Sequence, residues 1–222
     1  RTSVRTTKML HEAQVRRIAE ATDEAEALTF LLEAGYGGNS SSSQYQNREI
    51  DCVIRDELQA ARKIVWELTP EPELTSLFFL KDDIHNMKTL LKARLLGAEA
   101  PDILMEGSVF SIALLQECIN SKEYERLPAA FKDAFVKIEA ELEQKVDPLR
   151  ISAQLDCAMF RYINDVLNQR KEYGFVRRYF SLSADFQNAR SVIRARLLHW
   201  DQEKLGPLLL PGGEIAHDVF LD

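Results

Sequence analysis

Asp82, Asp83 and His85 stand within four residues of one another and are followed by Asn86. Two carboxylates and an imidazole at that spacing are groups that ligate a metal or exchange a proton, and the amide beside them is suited to polarising a substrate. A second stretch of the chain argues against this chemistry. Asp83 and Asn86 recur as Asp185 and Asn188, but Asp82 is replaced by Ala184 and His85 by Gln187. The reactive pair is lost while Asp-x-x-Asn is kept, which is the pattern of a requirement of the fold. His11, His199 and His217 are scattered, without Asp, Glu or Cys partners at ligand spacing, and read as surface or cap residues. Gly-x-Ser-x-Gly, a Walker lysine loop and His-Glu-x-x-His are all missing. The expectation is a chain that is not an enzyme, with no catalytic, cofactor-binding or metal-binding residue and no cofactor.

The composition narrows the partners. Among 222 residues, 45% are hydrophobic and 28% charged, the balance of a globular protein that needs no disulfide or metal to hold its core. Its formal net charge of -7 repels a polyphosphate. The basic pairs Arg16-Arg17 and Arg177-Arg178 are short and flanked by acids, and Phe175, Tyr179 and Phe180 beside the latter read as core-facing. Nucleic acid is not an expected partner. The three cysteines, Cys52, Cys118 and Cys157, form no metal or Cys-x-x-Cys spacing and fit a reducing, cytosolic setting. No apolar run approaches the roughly 18 residues that a membrane-spanning helix needs. The start at Arg1 carries no secretory signal and reads as that of an excised segment.

The elements that must position Asp83 and Asn86 are helices. Apolar residues recur at helical spacing nearly throughout, and strand-like alternation is hard to find. Helices are expected over Val4–Glu20, from Asp23 to the stop at Gly35, and over Arg48–Leu68, Leu74–Leu96, Ser108–Ile119, Pro128–Lys145, Pro148–Arg170 and Gly174–Trp200. Asp147-Pro148 supplies an N-cap and a pre-set first turn, and Gly97 a left-handed stop. In the third of these helices Ile50, Ile54, Leu58, Ala61, Val65 and Leu68 track one apolar stripe. The polar stretch from Gly37 through Ser43 reads as a connector without chemistry, since no Lys-Ser or Lys-Thr closes it.

Laying residues 78–96 over 180–198 gives Leu-x-x-Asp-x-x-Asn-x-(Lys/Arg)-(Thr/Ser)-x-(Leu/Ile)-(Lys/Arg)-Ala-Arg-Leu-Leu in both copies. About eight of roughly nineteen positions are identical where chance would give about one. The identities include Asp83 with Asp185, Asn86 with Asn188 and Arg94 with Arg196. Weaker echoes pair Asp51-Cys52 with Asp156-Cys157, and Glu106-Gly107 with Gly212-Gly213. The chain therefore reads as all-α, built of tandem repeats of a small helical-bundle domain with pseudo-symmetry: residues 1–104, residues 105–208, and the start of a third unit over 209–222. Asp83 and Asn86 share a helix face with Leu90 and Ala93, and Asp185 and Asn188 share one with Val192 and Ala195. Each pair is expected to hydrogen-bond neighbouring backbone. For Arg94 and Arg196 two readings stand: charge-assisted partners in that network, or exposed cations at a helix C-terminus.

These residues resemble the C/d family of central-stalk proteins found in V-type and archaeal A-type ATPases. The resemblance rests on the duplicated Leu-x-x-Asp-x-x-Asn helix ending in basic-Ala-Arg, on Leu155-Asp156, on Leu210-Pro211-Gly212-Gly213-Glu214, and on the segment from Leu31 to Tyr36. It implies a non-catalytic rotor component, a socket joining the central shaft to the membrane proteolipid ring and coupling ATP hydrolysis or synthesis to proton or sodium transport. The implied place is cytoplasmic, attached to the membrane peripherally through the complex, with the shaft subunits and ring as partners. The competing reading is an α-helical scaffold that binds partner helices and is unrelated to a rotor.

Overall fold

The computed structural model describes residues 9–37, 50–99, 103–143, 147–169 and 173–221. The described residues form helices and connectors, with no strand among them. The helices are α1 (Glu12–Ala19), α2 (Glu24–Glu33), α3 (Ile50–Leu68), α4 (Pro72–Ser76), α5 (Leu80–Leu96), α6 (Ile112–Ser121), α7 (Ala129–Leu142), α8 (Pro148–Asn168), α9 (Gly174–Leu197), α10 (Gln202–Leu205) and α11 (His217–Leu221), with a 3-10 turn at Gly206–Leu208. By packing, the chain divides into two compact units, Arg1–Pro72 and Glu73–Asp222.

In the first unit, Leu28 and Leu31 of α2 and Val53 of α3 form a small buried cluster, with Leu10, Ile18 and Tyr36 against it. Asp23 caps α2 by accepting the Glu26 N–H at 2.8 Å, while the Glu26 carboxylate reaches back to the Thr22 N–H at 2.8 Å. The first expected helix is shorter than its periodicity suggested. Met9, Leu10 and His11 precede α1, whose N-terminus is fixed by the Gln14 side chain accepting the His11 N–H, and residues 1–8 lie outside the described residues. The apolar stripe of α3 is not a core stripe: Ile54, Leu58, Val65 and Leu68 are exposed. Ile54 and Leu58 instead line an open groove of about 650 Å³ with Met9, Val15 and Tyr36. Apart from Gly37, the polar connector lies outside the described residues.

The second unit holds the main core. Leu80, Ile84, Met87 and Leu91 of α5 join Leu115 and Ile119 of α6, Phe131, Phe135 and Ile138 of α7, and Leu155 and Ile163 of α8 in one buried cluster. The side-chain hydroxyl of Ser111 caps α6 and the Asp147 carboxylate caps α8, where Pro148 occupies the first turn. Gly97, at φ 62°, ends α5 with the Ala98 N–H returning to the Ala93 carbonyl at 3.0 Å, a left-handed cap.

The structure departs from the sequence expectation at three further places. The span from Leu74 to Leu96 is two helices, because the chain turns at Leu77–Phe79 and restarts, with the Asp82 N–H bonded three residues back to Phe79. The helix expected from Ser108 starts at Ile112, since residues 108–110 belong to a strap tied to α5. Phe175 and Tyr179 are exposed, whereas Phe180 is buried as expected. On α9 the buried side is traced by Val176, Phe180, Ala184 and Asn188 at four-residue steps, and residues 175 and 179 fall one position off that line.

Candidate functional site

Asp83 and Asn86 sit three residues apart on the buried face of α5, so one turn of helix presents a carboxylate and an amide side by side. Both are fully buried, and both are used by the strap that runs toward α6. Asp83 accepts the Val109 N–H at 3.0 Å on one oxygen and the Phe110 N–H at 2.9 Å on the other. Asn86 accepts the Met105 N–H at 2.8 Å and donates its amide to the Met105 carbonyl at 2.9 Å. The four bonds satisfy the buried carboxylate and amide together with half-buried backbone groups of the strap, and they fix where the strap lies.

The same arrangement occurs on α9. Asp185 accepts the Glu214 N–H at 2.9 Å and the Ile215 N–H at 3.2 Å. Asn188 accepts the Leu210 N–H at 2.7 Å and donates to the Leu210 carbonyl at 3.0 Å. Between the two sites the helix residues are 102 apart, while the strap residues Met105 and Leu210, Val109 and Glu214, and Phe110 and Ile215 are 105 apart. Each strap also turns through a left-handed glycine, Gly107 at φ 72° and Gly212 at φ 88°. The backbone thus matches Gly107 to Gly212, one position from the pairing that residue identities suggested. In the second strap Gly213 lies so close to the Asp185 carboxylate that a Cβ there would overlap it. The His217 ring nitrogen at 2.9 Å from the Leu210 carbonyl and the Cys157 thiol at 3.5 Å from the Leu209 carbonyl hold this strap further.

Burial pushes the Asp83 carboxyl up to about 6, against the hydrogen bonds from Phe110, Val109 and Ser108 that favour its charged form, and the nearby Asp82 adds to the rise. Cys157 is likewise pushed up by burial, to about 11, and is an inert thiol.

Arg94 does not join Asp83 and Asn86. Its guanidinium donates to the Ile119 carbonyl at 2.5 Å and to the Glu139 carboxylate at 2.5 Å, and Tyr124 donates to the same carboxylate at 2.6 Å. Burial raises the Glu139 carboxyl, but the hydrogen bonds from Tyr124 and Arg94 outweigh it and hold the group below its ordinary range. Arg94 therefore locks the end of α5 to α6 and α7. Arg196, its counterpart in the motif, is exposed. Glu139 and Tyr124 went unnoticed in the sequence, where nothing marks an acid 45 residues from its arginine as its partner.

The arrangement ties backbone and offers little to a substrate. Both Asp83 oxygens are engaged, and the His85 ring lies at the surface with its nitrogen 3.1 Å from the Ile103 carbonyl. Among the described residues no group of three His, Cys, Asp or Glu side chains could hold a metal, and no helix is long and apolar enough to cross a membrane. Compared with known proteins, residues 1–222 match the family model described as ATP synthase (C/AC39) subunit. No curated protein matches the chain.

Proposed function

We propose, from the premise that the chain belongs to the ATP synthase (C/AC39) subunit family of V/A-type rotary ATPases, that it is a non-catalytic component of the central stalk. It seats on the membrane proteolipid ring, receives the central shaft, and couples ATP hydrolysis or synthesis on one side to proton or sodium movement on the other. Its place is cytoplasmic and peripheral to the membrane, held there by the complex. The observation that carries this reading is the family match over the whole of residues 1–222.

The geometry supports the mechanical part. A protein that carries torque needs helices locked to the segments between them. The paired ties of Asp83 with Asn86 and Asp185 with Asn188 hold two straps by four hydrogen bonds each, made by side chains that are themselves buried. Their recurrence, together with the matching left-handed glycines, supports a duplicated unit with pseudo-symmetry. Its first copy spans residues 1–104, its second 105–208, and residues 209–222 open a third. These repeats need not coincide with the compact units, because a repeat is defined by sequence and a compact unit by packing.

Co-sedimentation tests the assignment. The polypeptide produced from its natural gene is mixed with the detergent-solubilised proteolipid ring, and separately with the central shaft, from the same source. Saturable binding to both is the expected result. Binding to neither overturns the rotor assignment and leaves a helix-binding scaffold as the reading to pursue.

A further inference from the structure

The two copies of the motif helix carry cations at the same positions, but with different neighbours. On α5, Lys88 holds the Asp156 carboxylate at 2.6 Å and Arg94 holds that of Glu139 at 2.5 Å. On α9, Arg190 stands 102 residues on from Lys88, and Arg194 stands 102 residues on from Lys92. Neither guanidinium has an ion pair or hydrogen bond among the described residues. The two lie one turn apart on one face, where like charges repel and an anion shared between them removes the repulsion. Between Asp185 and Asp201 there is no acid, so this stretch is basic within a chain whose net charge is -7.

Both arginines line a cleft of about 260 Å³ between α8, α9 and the start of the second strap. Ser152 of α8 and Gln187 of α9 add a hydroxyl and an amide, both half-buried and without a side-chain partner among the described residues. Trp200 forms an apolar wall, and the Lys204 ammonium lies 4.5 Å from its ring centre, a third cation beside the cleft. Among the lining residues Asp156 is the one carboxylate, and its charge is met by Lys88. The cleft is therefore positive and rich in donors, with an indole on one side.

We propose that this cleft binds a phosphate ester, with Arg190 and Arg194 clasping the phosphate and Trp200 covering the organic part. Two guanidinium forks on adjacent turns offer more donors than the oxygens of one carboxylate use, and they match the three oxygens and the charge of about -2 of a phosphomonoester. Arginine in place of Lys88 and Lys92 at these positions fits the same ligand. A guanidinium grips phosphate through parallel hydrogen bonds, where an ammonium acts as a point charge. At about 260 Å³ the cleft is smaller than a drug-sized pocket, so it admits the phosphate with a small organic group.

Calorimetric titration decides it, with neither ring nor shaft present, so that failure of the rotor assignment leaves the result unaffected. The polypeptide produced from its natural gene is titrated at low salt with glycerol phosphate and with inositol trisphosphate. It is also co-sedimented with phosphatidylcholine vesicles, with and without phosphatidylinositol phosphate. Saturable binding to a single site is the expected result, weakened at least about tenfold by Arg190→Gln and by Arg194→Gln and unchanged by Lys137→Gln, an exposed cation of α7. All three side chains are exposed, so the variants keep the helical circular dichroism and thermal midpoint of the unsubstituted polypeptide. Arg194→Lys, which keeps the charge and loses the fork, retains only part of the affinity. Binding of the soluble esters without the vesicles assigns a soluble ligand; binding of the phosphatidylinositol phosphate vesicles, lost in both glutamine variants, assigns a lipid headgroup. No saturable binding of any probe overturns the proposal. So does binding that the arginine variants leave intact or that Lys137→Gln weakens equally. Tighter binding of an oligoglutamate peptide also overturns it and assigns the cleft to an acidic protein segment.

Discussion

Replacing Asn86 by aspartate changes one atom type and almost no volume, yet it reverses one of the two hydrogen bonds that hold Met105. The remaining oxygen still accepts the Met105 N–H, but where the amide donated to the Met105 carbonyl an ionised carboxylate sets oxygen against oxygen. Position 86 is fully buried and Asp83 lies one turn away, so desolvation and a like charge both favour the neutral acid. A carboxyl that stays protonated in the folded state at about pH 7, against an unfolded pKa near 3.9, costs about 4 kcal/mol. The sign follows directly. The folded-state pKa is raised, so the stability of the variant is fully present below the unfolded value and is lost as pH rises through the folded one. At about pH 4 the neutral acid donates through its O–H and accepts through its carbonyl, reproducing the amide, and the loss shrinks to about 1 kcal/mol or less. Asn86→Ala removes both bonds at every pH and costs about 2–4 kcal/mol throughout. Urea unfolding followed by helical circular dichroism at about pH 4 and about pH 7 should show the two variants crossing, with Asn86→Asp the more stable at the lower pH and no better than Asn86→Ala at the higher. Parallel curves would refute the tie between Asn86 and the strap. Asn188→Asp, whose amide holds Leu210 in the same way, should cross its own alanine variant in the same direction.

A carbon-detected titration of the Asp83 carboxyl should find its midpoint near 6; since that value is raised, its contribution to stability is present below about 4 and declines as pH climbs through about 6, and a midpoint below 4 would contradict the burial argument. Arg94→Met should lose about 2–4 kcal/mol at neutral pH by leaving Glu139 charged in a mostly buried site. Because Glu139 is held low, that loss should fade on acidification as the carboxylate protonates, and an acid-insensitive loss would show the pair to be idle. Gly213→Ala should cost about 1–3 kcal/mol, because its Cβ overlaps the Asp185 carboxylate, whereas Gly206→Ala, with open space around it, should be close to neutral; equal midpoints in thermal unfolding would remove the steric argument.

The parts of this structure that were legible in the sequence are those set by local rules. Helix type followed from apolar spacing, and the ends at Asp23, Gly97 and Asp147 from caps whose chemistry acts within a turn. That Asp83 and Asn86 bond backbone was also legible, since their recurrence without Asp82 and His85 pointed to the fold. Which backbone they bond was not, because the strap from Met105 to Phe110 has no periodicity and its place is dictated by the side chains that grip it. The same capture explains the late start of α6: Val109 and Phe110, which read as the opening of a helix, give their N–H groups to Asp83, and the helix takes its cap one residue later at Ser111.

Exposure was the least legible property, for a physical reason that the two copies isolate. Leu80 with Leu182, Ile84 with Phe186 and Leu91 with Ile193 have equivalent spacing and character, yet one set is buried and the other open. A hydrophobic pattern records which face a helix turns toward apolar surroundings; burial depends on whether another segment supplies them. The open face of α9 and the shielded face of α5 therefore carry the same apolar pattern, and on α5 it is shielded in the core that α6 and α8 share with it. Where sequence gives two helices one pattern and the structure gives them two exposures, the difference lies in the neighbouring segments and not in the residues of the helix itself.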